Sequence, residues 1–154
     1  MVRLVPMVAT EFGPFLDQLI RSYAEENIRA GLWSEEEGLV EARKQIQALL
    51  PAGRETPNHF FLTILSDAAE EKVGAIWFAV EPRGGFVYDL LILEPFRRRG
   101  YAEQAMVLLE RIAREKGARK LLLQVFGDNE GARKLYSKLG YAERAIAMSK
   151  TLAP

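Results

Sequence analysis

The 154-residue sequence predicts an α+β domain: a mixed, mostly antiparallel central sheet flanked by helices. Three observations carry that expectation. Four stretches place apolar residues at helical spacing. Six others alternate or form short apolar runs bounded by turn residues, as strands do. Three of these strand-like segments, between His59 and Leu93, follow one another closely enough to form an antiparallel meander.

In order along the chain, Val2 to Met7 alternates and reads as a short strand. Phe12, Phe15, Leu19 and Tyr23 recur at helical spacing, which gives a first helix from about Thr10 to Arg29. Ser34 with Glu37 three positions on is a capping box, and it opens a second helix running to about Leu50. Pro51 to Pro57 is a loop. His59 to Ser66 and Val73 to Val80 are strands joined by a polar turn, and a second turn at Pro82 to Gly85 leads into a strand from Phe86 to Leu93. Beyond Gly100, Ala102, Ala105, Met106, Leu109, Ile112 and Ala113 form one apolar stripe, and Gly117 ends that helix. Lys120 to Phe126, with Leu121, Leu122, Leu123 and Val125, reads as a buried central strand. Asp128 or Asn129 caps a final helix with Ala132, Leu135, Tyr136 and Leu139 inward, and Ala145 to Leu152 is the expected closing strand.

The most informative segment is Leu91-Ile-Leu-Glu-Pro-Phe-Arg-Arg-Arg-Gly-Tyr-Ala102, a strand, an arginine turn and a helix start. A helix N-terminus leaves N–H groups unsatisfied and carries partial positive charge, so it suits an anion. Gly100 removes the Cβ that would keep a bulky anion from the backbone. Arg97, Arg98 and Arg99 add charge that does not titrate at cellular pH. No Gly-Lys-Ser/Thr occurs, and one glycine stands where a dinucleotide turn needs three, so both common phosphate loops are excluded. What remains is Arg97-x-x-Gly100-x-Ala102, either a pyrophosphate site or a solvated loop.

A second cluster decides between them. Asn129, Ala132, Tyr136 and Gly140-Tyr141 fall in the order N-x-x-A-x-x-x-Y-x-x-x-G-[FY]. With both motifs in order, the chain from about Val87 to Leu152 resembles the GNAT N-acetyltransferase superfamily, and its first third matches in layout only. The resemblance implies the order β-α-α-β-β-β-α-β-α-β in one domain spanning residues 1–154, and transfer of an acetyl group from acetyl-CoA to a primary amine in a ternary complex. It implies that the pyrophosphate meets the backbone from Arg98 through Gly100, Tyr101 and Ala102 to Glu103, together with the arginine side chains. It further implies that the pantetheine arm borrows the backbone of Leu91, Ile92 and Leu93, beside a bulge that splays this strand from the next. Tyr136 would give the departing thiolate its proton as general acid, or be a core residue of the apolar stripe. Asn129 would cap the helix or bond the cofactor. Only Phe96 separates Pro95 from the first arginine where many relatives have two residues, which leaves the role of each arginine open.

For the base, Asp89 on the same strand is the candidate, while His59 reads as structural. Glu25, Glu26 and Trp33 are candidate substrate contacts. Eight acidic residues and two arginines lie between Glu11 and Glu41, against eight basic and three acidic between Arg97 and Lys120. That asymmetry suits a polyanionic cosubstrate and a cationic acceptor, and equally suits solvated helix faces. The acceptor itself stays open among polyamines, amino sugars, amino acids and protein amino groups.

Composition narrows the rest. No cysteine means no disulfide or thiol nucleophile, and a lone histidine argues against a metal site. Zero net charge argues against nucleic acid as a partner. No apolar run nears the ~20 residues that span a bilayer, and no signal peptide opens the chain. A cytoplasmic monomer or homodimer is expected. The alternative is a non-catalytic acyl-CoA-binding or regulatory module.

Overall fold

A computed structural model describes residues 1–154. β1 (Val2–Pro6) leads into α1 (Ala9–Arg29) and α2 (Glu35–Leu49), followed by β2 (His59–Ser66), β3 (Lys72–Glu81) and β4 (Gly84–Ile92). α3 (Tyr101–Glu115), β5 (Leu121–Leu123) and α4 (Glu130–Lys138) come after. The sheet order is β1-β2-β3-β4-β5, antiparallel except for the parallel β4–β5 pair. The expected fold class is therefore present, as a five-stranded sheet with four helices.

Period-two alternation in β3 sorts the two cores. Ala75 and Trp77 point to one face, where α1 and α2 bring Phe15, Leu19, Ile20, Ala42 and Ile46. Ile76 and Phe78 point to the other, where α3 brings Ala105, Met106, Leu109 and Ala113. Trp77 and Phe78 are sealed from solvent, and each contributes about 1.5–3 kcal/mol through that burial. The predicted capping box holds: the Ser34 hydroxyl accepts from the Glu37 N–H, and the Glu37 carboxylate accepts from the Ser34 N–H. No helix is long and apolar enough to cross a membrane.

Three expectations need correction. The strand expected over Lys120 to Phe126 is three residues long and half-buried at the sheet's edge, not central. Its apolar run resembled a core strand, but β4 offers it only three pairing positions. β4 ends at Ile92, and Glu94–Phe96 forms a single 3₁₀ turn. The closing strand from Ala145 to Leu152 is absent: these residues are exposed and have no strand beside them, so their alternating pattern has nothing to pair with.

Gly74 shows how closely β3 and β4 approach, since a Cβ there would run into the Leu91 carbonyl oxygen. Gly74→Ala is expected to cost about 1–3 kcal/mol by overpacking, measurable by urea denaturation. An unchanged midpoint would show that the two strands can part freely.

Candidate active site

β3 and β4 fall out of step beside Trp77. Trp77 pairs with Asp89 and Phe78 with Val87, so Tyr88 has no partner across the ladder. Such a bulge bends its strand and raises the local twist. The parallel pairing of β4 with β5 ends at the same place, at Val87 against Leu123. Past the bulge no pairing joins β5 to β4, and the free side of β4 beyond Val87 is left open, a gap beside the strand. Stacked rings hold the bulge: Tyr88 lies 4.4 Å from Trp77, 5.5 Å from His59 and 4.7 Å from Phe86 by ring centroids. Trp77 Nε1 donates to His59 Nδ1 at 2.9 Å, and burial lowers the His59 pKa. His59 is thus a neutral support for the bulge.

Backbone direction decides which groups face the gap. The Leu93 N–H donates to the Val73 carbonyl, and in an antiparallel ladder alternate residues bond the same neighbour. Leu91 and Leu93 therefore spend their backbone on β3, while Leu90 and Ile92 present theirs to the gap. Of the expected Leu91, Ile92 and Leu93, only Ile92 turns its backbone to the free side, and Leu90 does so as well. The sequence held a signal for it: Val87, Leu90 and Ile92 all pack toward α3, a spacing of three then two that betrays an extra residue.

At the end of β4 the arginine turn leads into α3. Arg98 adopts φ 62° and Gly100 φ 78°. None of the N–H groups from Arg98 to Glu103 donates to a backbone carbonyl, and the first such bond of the helix runs from Gln104 to Gly100. A concave run of free N–H groups before a helix is an anion cradle. The three arginines differ. Arg97 Nε donates to the Ile92 carbonyl at 2.9 Å, tying the turn to β4. Arg99 lies 5.7 Å from the centre of the Phe96 ring. Arg98 is exposed and supplies the left-handed residue. Beside the turn, Lys138 of α4 bridges to Glu103 at 2.8 Å.

Asp89 of β4 lies near enough to Tyr136 of α4 for its charge to act there. Protein atoms crowd Asp89, yet it keeps some contact with solvent, as in a deep open slot. Burial, with the Glu26 charge added, pushes its pKa up to about 7. Burial, with the Asp89 charge added, pushes Tyr136 up to about 12. Tyr136 also packs edge-on against Tyr141 at 5.7 Å. Glu26 is itself raised by burial and by Asp128, against Arg29 which lowers it. Arg29 bridges to Asp128 at 2.7 Å, so the end of α1 is laid against the loop that opens α4. That exposed pair adds little energy, but it fixes Glu26, one turn earlier, near the slot.

The remaining candidates lie elsewhere. Asn129 caps α4, its Oδ1 accepting from the Ala132 N–H at 3.1 Å. Glu25 is exposed. Trp33, the other expected substrate contact, packs edge-on against Tyr23 at 5.4 Å beside the α1–α2 core and stays partly exposed.

Comparison with known proteins gives the class, an acyltransferase, and the family. The model of the acetyltransferase (GNAT) family matches residues 16–141, and the chain belongs to that family. Two proteins of Bacillus subtilis (strain 168), both named as uncharacterized N-acetyltransferases, are similar over nearly the whole chain. YycN is 39% identical over 155 residues, covering 98% of this chain and 99% of its own. YdgE is 36% identical over 153 residues, covering 97% of each. A crystal structure of the Bacillus subtilis YycN acetyltransferase superposes with a TM-score of 0.94 at 38% identity, over 100% of both chains. The PaiA N-acetyltransferase of Thermoplasma acidophilum, solved in complex with coenzyme A, shares the fold with a TM-score of 0.70 at 15% identity, over 96% of this chain and 93% of its own.

The Asp89 shift has a consequence for stability. Unfolded, an aspartate ionises near pH 4, whereas native Asp89 holds its proton to about 7. Across that window the native state binds more protons, so stability falls as pH rises and stays lower above 7. Asp89→Asn is therefore expected to raise the melting temperature relative to wild type at pH 8 and to change it little at pH 4. An equal shift at both pH values would mean that Asp89 ionises normally.

Proposed function

We propose that this acetyltransferase moves the acetyl group of acetyl-CoA to a primary amine by direct attack in a ternary complex. The observation that carries the reading is the free side of β4, with Asp89 on that strand, running into a turn of unpaired N–H groups. The residues fit the cosubstrate: free N–H groups from Arg98 to Glu103 for a pyrophosphate, and the Leu90 backbone with the Ile92 N–H for an amide-bearing arm, the Ile92 carbonyl being held by Arg97. PaiA, of the same fold, was solved with coenzyme A, which supports an acyl-CoA as cosubstrate.

Asp89, with a pKa of about 7, is matched to the work of a general base near neutral pH. It takes the proton that the nitrogen must lose as the nitrogen bonds to the thioester carbon. Tyr136 gives its hydroxyl proton to the sulfur as the C–S bond breaks, and recovers one from solvent. The two transfers are coupled through charge. Ionised Asp89 makes Tyr136 a weaker acid, and that opposition disappears once Asp89 holds the amine proton. Glu26 adds negative charge beside Asp89, which favours a cationic acceptor. A backbone N–H facing the gap would stabilise the oxyanion.

Kinetics separate these roles. Tyr136→Phe is expected to lower kcat by roughly 10²-fold, in the usual range for a general acid, with little change in acetyl-CoA affinity. Activity should rise with pH through about 7 as Asp89 loses its proton, and Asp89→Asn should remove that limb of the profile. A Tyr136→Phe enzyme as fast as wild type would reduce the tyrosine to packing. Acetyl-CoA binding with no turnover on a broad amine panel would favour the non-catalytic alternative.

A further inference from the structure

Away from the site, α2 presents an outer face that nothing in the chain covers. Gly38, Ala42 and Ile46 turn inward, Gly38 against Ile28 and Ala24 of α1. On the outer side, Leu39 and Val40 are 49% and 66% exposed, in a second turn where a solvated face would carry polar side chains. The charges around them are sorted by sign. Glu35, Glu36 and Glu37 fill the first turn, and Arg43 and Lys44 follow one turn past Val40. Glu36, Arg43 and Lys44 are exposed and make no ion pair within the chain.

An acidic, apolar, basic order along one stripe is self-complementary. A two-fold rotation reverses a second α2, so its acidic turn lies against the basic turn of the first, and the two Val40 side chains meet at the centre. Helical spacing carries the match. Glu36 and Arg43 are two turns apart and share one edge of the stripe, while Glu37 and Lys44 share the other. A two-fold axis at Val40 keeps each edge on its own side, so Glu36 meets Arg43 of the other copy and Glu37 meets its Lys44. Antiparallel pairing also sets the helix dipoles head to tail. A parallel pairing would place like charges together, which disfavours it.

We propose that two copies of this chain associate through α2, antiparallel about a two-fold axis at Val40. A single helix pair lies below the roughly 1,200 Å² where the standard size of stable interfaces begins, so the dimer forms at micromolar chain concentration and above. The rim pairs set register and orientation more than they add affinity, and Val40 with Leu39 supplies the apolar centre.

Sedimentation of the purified full chain, from micromolar to millimolar concentration, should show the mass rising from 17.4 kDa toward twice that value. Val40→Asp should hold the single chain mass throughout. Arg43→Glu sets acid against Glu36 at both symmetry-related contacts, and should weaken association by about tenfold. The double variant Glu36→Arg/Arg43→Glu restores opposite signs, and should return to within about threefold of wild type. All three positions are exposed and outside the site, so circular dichroism should show each variant folded, and acetyl-CoA binding should not change. A wild type that stays monomeric at millimolar concentration would overturn the proposal. So would a dimer that Val40→Asp leaves intact, or one that the exchanged pair fails to restore, since another surface or register would then join the copies.

Discussion

Beside Trp77, β3 advances one residue while β4 advances two, and the unpaired Tyr88 turns β4 away from β5. The site depends on this mismatch. Without it β5 would continue its parallel pairing, the backbone of Leu90 and Ile92 would be consumed in the ladder, and no gap would exist for a cosubstrate arm. With it, two backbone positions stay available inside a sheet, where unpaired polar groups are otherwise costly. The stack of Trp77, Tyr88, His59 and Phe86 compensates by burying ring surface around the bulge. Asp89, next in line, is carried into a crowded slot where its charge is disfavoured.

That displacement links structure to chemistry. A carboxylate ordinarily ionises too readily to accept a proton near pH 7, and burial beside Glu26 removes that handicap. The same slot keeps Tyr136 protonated. On the proposed mechanism, one local irregularity both frees the backbone of β4 and poises the proton-transfer groups. At the groove's far end, the left-handed Arg98 and Gly100 turn successive N–H groups toward one point, while Arg97 ties that turn to the Ile92 carbonyl. Groove and cradle are thereby one rigid unit.

Much of this was legible in the sequence because it is written in local pattern. The capping box at Ser34 and Glu37, the stripe on α3, the β2–β4 meander and the arginine turn all rest on neighbours in the chain. Tyr136 was singled out through a motif, and Asp89 by its place on the strand before the turn, and both roles are part of the proposal. The errors arose where long-range pairing decides. Leu91 and Leu93 were favoured over Leu90 because the bulge shifts which backbone groups face outward. Lys120 to Phe126 looked central because three leucines run together, yet the bulge leaves only three positions to pair with. Ala145 to Leu152 has a strand's alternation and no partner within its own chain.

The most direct test of the central claim is amide hydrogen exchange with and without acetyl-CoA. Slowed exchange at Leu90, Ile92 and residues 98–103 on addition of acetyl-CoA, with α2 unchanged, is the predicted result. Protection that leaves those amides untouched would contradict it, and would place the cosubstrate outside the gap that the bulge opens.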